Sequence, residues 1–202
     1  MAIVVEHEKR KREILEKAME LFCRDGYEDV TFQKIADACG ITRTTLYIYF
    51  GSKHEIFNFS IKQLSSDLEV KFLKIIKDHS ITAEDCLRKI TSDAIDACVE
   101  NKTLFEILVP YLTGLYKTGD DVYERVRRRT IRINHLLSMM IVRGQKNGEF
   151  RKFSVKTAND LIFGLIIESV FKMAVLHNAE VDNIKASLNL AIDGLLAERP
   201  EN

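Results

Sequence analysis

Only two prolines, Pro110 and Pro200, and nine glycines punctuate the 202 residues, and tryptophan is absent. A sheet-rich fold of this length needs many more turn formers, so the scarcity excludes one and indicates long helices. An excess of charge of either sign is also missing, since 30 Lys and Arg stand against 30 Asp and Glu. That balance excludes a polybasic nucleic-acid coat and an acidic disordered tail. The first twenty residues lack the apolar core of a signal peptide. The most apolar stretch, Leu161 to Leu176, is short for a bilayer and is interrupted by Glu168 and Lys172. The four cysteines, Cys23, Cys39, Cys86 and Cys98, form no CxxC pair and sit in apolar stretches, which predicts small buried thiols. A composition of 46% hydrophobic and 30% charged residues then describes a soluble, cytoplasmic chain with no membrane partner.

Hydrophobic periodicity predicts an all-α fold of about nine helices. Glu8 to Asp25 places Ile14, Ala18, Leu21 and Phe22 on one face and is stopped by Gly26. Thr31 caps a short helix, Phe32 to Cys39, and Gly40 breaks it. Thr42 caps another, Arg43 to Tyr49, with Leu46 facing inward. Ser52 and Glu55 form a capping box for a helix running to about Asp78. At about 35 Å that helix is long enough to link two domains. Five more helices follow: one with a capped start at Thr82 and Asp85 running to about Glu100, Thr103 to Tyr116 around Pro110, Asp120 to Gln145, Ser154 or Thr157 to near His177, and Val181 to Ala197. No repeat, low-complexity run or flexible linker interrupts the series.

The first three helices have the spacing of a helix-turn-helix. Ala36 is small where the next helix crosses, Gly40 suits a left-handed turn, and Ile41 and Leu46 fill the angle between helices. Residues 14–54 read ILEKAMELFCRDGYEDVTFQKIADACGITRTTLYIYFGSKH. This stretch resembles the N-terminal signature of the TetR/AcrR family of transcriptional regulators. The matching elements run from Ile14-Leu15 through Gly26-Tyr27, Ile35-Ala36, Gly40, Leu46-Tyr47 and Tyr49-Phe50 to Ser52-Lys53 and Ile56. The likeness covers roughly the first quarter of the chain; beyond it only helix number and length agree.

The resemblance implies a DNA-binding domain over residues 1–51 and a ligand-binding and dimerisation domain over 52–202, joined by the long helix. It makes Arg43 to Tyr49 the recognition helix, and the expected DNA-binding residues are Thr31, Thr42, Arg43, Thr44, Thr45, Tyr47, Tyr49 and Lys53. Arg43 suits a bidentate contact to guanine, and Thr44 and Thr45 suit phosphate or a thymine methyl. Tyr47 and Tyr49 are expected to point outward to phosphate, as is Lys53 at a positive helix end. Thr31 either caps its helix or contacts phosphate. Ile48 departs from the polar or aromatic side chain often found there, and either touches a thymine methyl or braces the helix.

In the second domain, Phe163 to Leu176 is apolar almost all round and calls for burial on several sides. Gly164, Ile167, Phe171, Leu188, Ile192 and Leu195 are the expected contacts of a homodimer, by likeness to the family. Pro110 interrupts an aromatic-rich helix that is a reasonable wall for a small-molecule pocket. Its expected lining is Phe105, Leu108, Tyr111, Leu112, Tyr116, His135, Met139, Phe163 and Glu168. Glu168 pairs either with Lys172 one turn on or with a cationic ligand. Arg125, Arg128, Arg129 and Arg132 form a stripe that reads as a solvated face, with an anionic effector as the sharper alternative.

No catalytic motif, metal site or cofactor site is found: the five histidines form no HxxxH pair, and GxGxxG, P-loop and GxSxG patterns are absent. The expectation is a homodimeric regulator, most simply a repressor, that binds double-stranded DNA at a near-palindromic site and is released by a small-molecule effector. The competing readings are a helical small-molecule-binding or adaptor protein without operator binding, and an all-α enzyme.

Overall fold

The computed structural model describes residues 2–117, 122–177 and 180–198. The expected helix start at Asp120 and the side chains of Arg125 and Arg129 lie outside the described residues. Among those described, the chain forms nine α-helices: α1 (Ala2–Asp25), α2 (Phe32–Ala38), α3 (Arg43–Tyr49), α4 (Lys53–Lys77), α5 (Ala83–Glu100), α6 (Lys102–Lys117), α7 (Val122–Asn147), α8 (Val155–Ala174) and α9 (Val181–Asp193). None is long and apolar enough to cross a membrane.

Local chemistry accounts for the helix starts. The hydroxyls of Thr31, Thr42, Thr82 and Ser154 each accept a hydrogen bond from the backbone N–H three residues on, at 3.2, 3.0, 3.0 and 3.3 Å. Ser154 is therefore the cap of α8 rather than Thr157. At α4, Ser52 accepts from the Glu55 N–H at 3.1 Å, while the Glu55 carboxylate reaches back to the Gly51 N–H at 2.6 Å. Gly26 (φ +84°) and Gly40 (φ +63°) take the left-handed backbone at the ends of α1 and α2, where a side chain is strained.

Two helices stop short of expectation. α8 ends at Ala174 and α9 at Asp193. After α9 the chain pairs with the α7–α8 connection instead: Arg151 N–H donates to Leu195 C=O and Ala197 N–H donates to Glu149 C=O, both at 2.9 Å. This short antiparallel bridge (Phe150 opposite Leu196) satisfies the groups that another helical turn would have used.

The chain divides into two compact units, Met1–Leu64 with Thr103–Val122, and Ser65–Lys102 with Tyr123–Asn202. α4 begins in the first and ends in the second. In the first unit, Ile14, Ala18, Phe22, Val30, Ile35, Leu46, Phe50, Ile56 and Phe57 share a core with Leu104, Ile107 and Tyr111 of α6. In the second, α5, α8 and α9 pack together around Leu87, Ile90, Ile95, Leu137, Ile162, Leu188 and Ile192. Two cysteines depart from the expected burial: Cys23 is exposed and Cys39 half-buried, while Cys86 and Cys98 are buried. Burial pushes the Cys98 thiol up to about 12, which keeps it protonated and inert.

Candidate nucleic-acid interface

The geometry of α3 follows from one side chain. Leu46 is fully buried against Ile35 and Ala36 of α2, so the helix can present only its opposite face. That face carries Arg43, Thr44, Tyr47 and Ile48, all exposed, at the i, i+1, i+4 and i+5 spacing of neighbouring turns. Arg43 donates from Nη2 to the Tyr47 hydroxyl at 3.2 Å, and its guanidinium lies 5.7 Å from the Tyr47 ring centre. The Tyr47 ring also leans on Phe32, centroids 4.8 Å apart. The pair is therefore partly ordered before any ligand arrives.

Ile48 is 68% exposed, which removes the bracing alternative. Thr42 and Thr45 are bound to each other, their hydroxyls 2.8 Å apart, in addition to the cap. Thr31 likewise caps α2, and its exposed position leaves the hydroxyl's own proton available.

Two expected outward residues are turned inward. Tyr49 is half-buried and stacks on His7 of α1, with centroids 4.7 Å apart and planes 26° apart. Its position borders Leu46 and Phe50, so the ring follows them toward α1. Lys53 donates its amine to the carbonyls of Tyr27 (2.7 Å) and Glu28 (2.9 Å) and sits 4.6 Å from the Tyr27 ring centre. Partial burial pulls its pKa down, against smaller opposing effects of Glu28 and Asp29. The lysine ties the first turn of α4 to the α1–α2 connection, a structural role that a phosphate contact has to share.

Two supporting residues were missed. Arg10 bonds Glu13 at 2.7 Å and the Cys39 carbonyl at 3.2 Å, bracing the α2–α3 turn. The Lys11 amine lies 4.0 Å from the Phe59 ring centre and 5.3 Å from that of Phe50. The available signal was register: Lys11 stands three residues before Ile14 and seven before Ala18, on the same core-facing stripe. Of the run Lys9 to Arg12, Lys9 and Arg12 are exposed and Arg10 and Lys11 half-buried.

The residues expected to line a pocket are divided between the two units. Phe105, Leu108, Tyr111, Leu112 and Tyr116 belong to the first unit, and His135, Met139, Phe163 and Glu168 to the second. Tyr111 is buried in the core of its own unit, its hydroxyl bonded to a His54 ring nitrogen at 3.1 Å and to Asn58 Nδ2 at 3.3 Å. Leu108 and Leu112 pack beside that core, and Phe105 is half-buried. Tyr116 is 78% exposed, and His135 and Met139 also face outward. Phe163 packs on the core of the second unit. Glu168 is exposed and pairs with Lys172 at 2.8 Å, so it needs no cationic ligand. Both edge a shallow groove of about 100 Å³ with Ser169, Glu180, Asn183 and Ser187.

Three of the expected interface residues, Leu188, Ile192 and Leu195, are buried inside the chain's own second unit, because α9 turns that stripe toward α5 and α8. They are a correction: their surface is unavailable to another copy. Gly164, Ile167 and Phe171 are exposed on α8, in line with Leu161 and Val175, and Leu190 is exposed on α9. Arg128 and Arg132 lie on a solvated face, paired with Glu124 (3.6 Å) and Glu69 (2.9 Å). Among the described residues no group of His, Cys, Asp or Glu is placed to hold a metal.

A capped helix of seven residues, locked by one buried leucine and exposing an arginine–tyrosine face, defines a helix-turn-helix DNA-binding module. The family described as bacterial regulatory proteins, tetR family, matches residues 14–58. The fatty acid metabolism regulator protein of Bacillus subtilis (strain 168) is 24% identical over 195 residues, covering 93% of this chain and 98% of that protein. The solved fatty acid degradation regulator FadR of Bacillus halodurans aligns with a TM-score of 0.76 at 19% identity, covering 94% and 97% of the two chains. FadR from Bacillus subtilis, solved in complex with stearoyl-CoA, aligns at 0.74 and 22% identity, covering 91% and 98%. Residues 14–58 carry the tetR-family DNA-binding region, the whole chain shares the fold of these regulators, and together they support a ligand-responsive, DNA-binding transcriptional regulator.

Proposed function

We propose that this chain is a cytoplasmic repressor that binds a near-palindromic operator as a homodimer and is released by a small-molecule effector. The observation that carries the reading is the exposed Arg43–Tyr47 pair on a helix whose rotation is fixed by buried Leu46. Two such helices about 34–36 Å apart enter successive major grooves. Arg43 reads guanine, Tyr47 and Thr44 hold the backbone, and Thr31, Thr42, Thr45, Tyr49 and Lys53 contribute at the rim or by holding the frame. In this reading residues 1–51 carry the operator contacts and 52–202 the effector and dimer functions.

The dimer reading rests on α8. One face of that helix is buried in the chain while Leu161, Ile167, Phe171 and Val175 line the other, and a soluble helix with two apolar faces calls for a second partner. Phe171→Asp should give monomers in sedimentation equilibrium; an unaffected dimer would place the interface elsewhere. For the effector, the fatty acid regulators among the relatives support a long-chain acyl-CoA. Ligand binding releases DNA to the extent that it favours the unbound conformation.

The test begins with an operator selected from randomised duplexes and followed by fluorescence anisotropy. Arg43→Ala with Tyr47→Ala should weaken specific binding about 100-fold, since a bidentate base contact contributes about 1–3 kcal/mol at each half-site. Helix content should stay unchanged. Stearoyl-CoA at micromolar concentration should release the wild-type complex. Unchanged affinity in the double variant sinks the operator reading, and indifference to stearoyl-CoA sinks the acyl-CoA assignment.

A further inference from the structure

Three of the four side chains on the exposed face of α3 carry hydrogen-bonding groups. The fourth, Ile48, is the most apolar and is 68% exposed. Its direction is fixed on both sides. Tyr47 before it rests on Phe32, Tyr49 after it stacks on His7, and Phe50 beyond is buried beneath Lys11. With Leu46 anchored two residues earlier, α3 cannot rotate to hide Ile48, and its side chain stays on the same face as Arg43 and Thr44.

Chemistry narrows what such a side chain can meet. Isoleucine offers no donor or acceptor, so neither phosphate oxygens nor the polar base edges reward its approach, and desolvating them would be costly. In the major groove the base edges present donors, acceptors and one apolar group, the C5-methyl of thymine. A β-branched side chain has little rotamer freedom to lose when it is pinned there.

We propose that Ile48 is a specificity-determining residue that selects thymine at one position of each half-site by packing on its methyl group. The inference rests on the operator-binding reading above and deepens it: Arg43 supplies polar discrimination, and Ile48 the apolar discrimination. The neighbouring Thr44, one turn earlier, also carries a methyl, so a substitution of protein and DNA together is needed to separate the two.

Deoxyuridine makes that separation, because it differs from thymidine only by the missing methyl. Each thymine of the selected operator is replaced in turn by deoxyuridine, and affinities are measured for the wild type, Ile48→Ala and Ile48→Val. At one thymine per half-site the wild type should lose about fourfold in affinity. Ile48→Ala should bind both duplexes equally at that position, and Ile48→Val should retain most of the difference. Discrimination at the guanine assigned to Arg43 should persist in all three. If deoxyuridine is tolerated at every thymine, or its effect survives in Ile48→Ala, the assignment is overturned while operator binding stands. If selection enriches no sequence, the operator reading falls and takes this assignment with it.

Discussion

Phe57→Ala should cost about 4 kcal/mol of folding free energy, the largest loss expected from a single substitution in the first unit. Phe57 is fully buried at the start of α4, where three aromatic rings from other segments converge on it. Its ring centre lies 4.6 Å from Tyr111 of α6, 5.5 Å from Tyr27 and 6.3 Å, edge to face, from Phe22 of α1. Truncation removes the burial of a whole ring and the aromatic pair energies with it. The hole cannot close easily. Tyr111 is held through its hydroxyl by His54 and Asn58, and Tyr27 through its carbonyl by Lys53. Phe57→Leu keeps most of the volume and should lose about 1.5 kcal/mol. Urea melts followed by circular dichroism check both values; a loss below about 1 kcal/mol for the alanine variant would mean that the cluster repacks.

Gly144→Val should cost about 3 kcal/mol, because the space beside Gly144 is already filled. A Cβ added there falls 2.2 Å from Phe150 Cδ2 and 2.4 Å from Cε2. Phe150 is itself buried and cannot swing away into solvent. Nor can the backbone yield cheaply: the Gly144 carbonyl accepts the N–H groups of Glu149 (2.9 Å) and Phe150 (3.1 Å), closing the end of α7. A helical glycine is ordinarily about 1 kcal/mol worse than alanine, so its place here is explained by the ring rather than by propensity. Adding Phe150→Leu to Gly144→Val should restore part of the loss, giving a non-zero coupling in a double-mutant cycle. Strict additivity of the two losses would show that the contact is not the cause.

The fold was largely legible because its markers are local. Capping hydroxyls at Thr31, Thr42, Thr82 and Ser154 give helix starts within a residue, and Gly26 and Gly40 give stops. The end of α9 was not legible, since the chain leaves it to pair with a segment more than forty residues earlier. The exposed face of α3 was legible from the spacing around Leu46, including the exposure of Arg43 and Tyr47. The direction of Tyr49 and Lys53 was not, because their partners, His7 and the Tyr27 carbonyl, come from distant turns. Amphipathic periodicity also marks Leu188, Ile192 and Leu195 as one apolar face without telling whether the same chain or a second copy covers it. For α6, periodicity gives the helix but not its membership, and Tyr111 packs with the N-terminal helices.

The engagement of Arg10 and Lys11 inside the first unit has a consequence for how DNA is held. Two of the four consecutive cations near the N-terminus brace a turn and two rings, and so are poorly placed to neutralise phosphate. Fewer neutralised phosphates release fewer counterions, and affinity then falls less steeply as salt rises. Non-specific duplex, which offers only its charge, should be held weakly. In the proposed operator complex selectivity would then be gained by subtraction: with the electrostatic background low, the groove contacts of one short helix would dominate the choice of site.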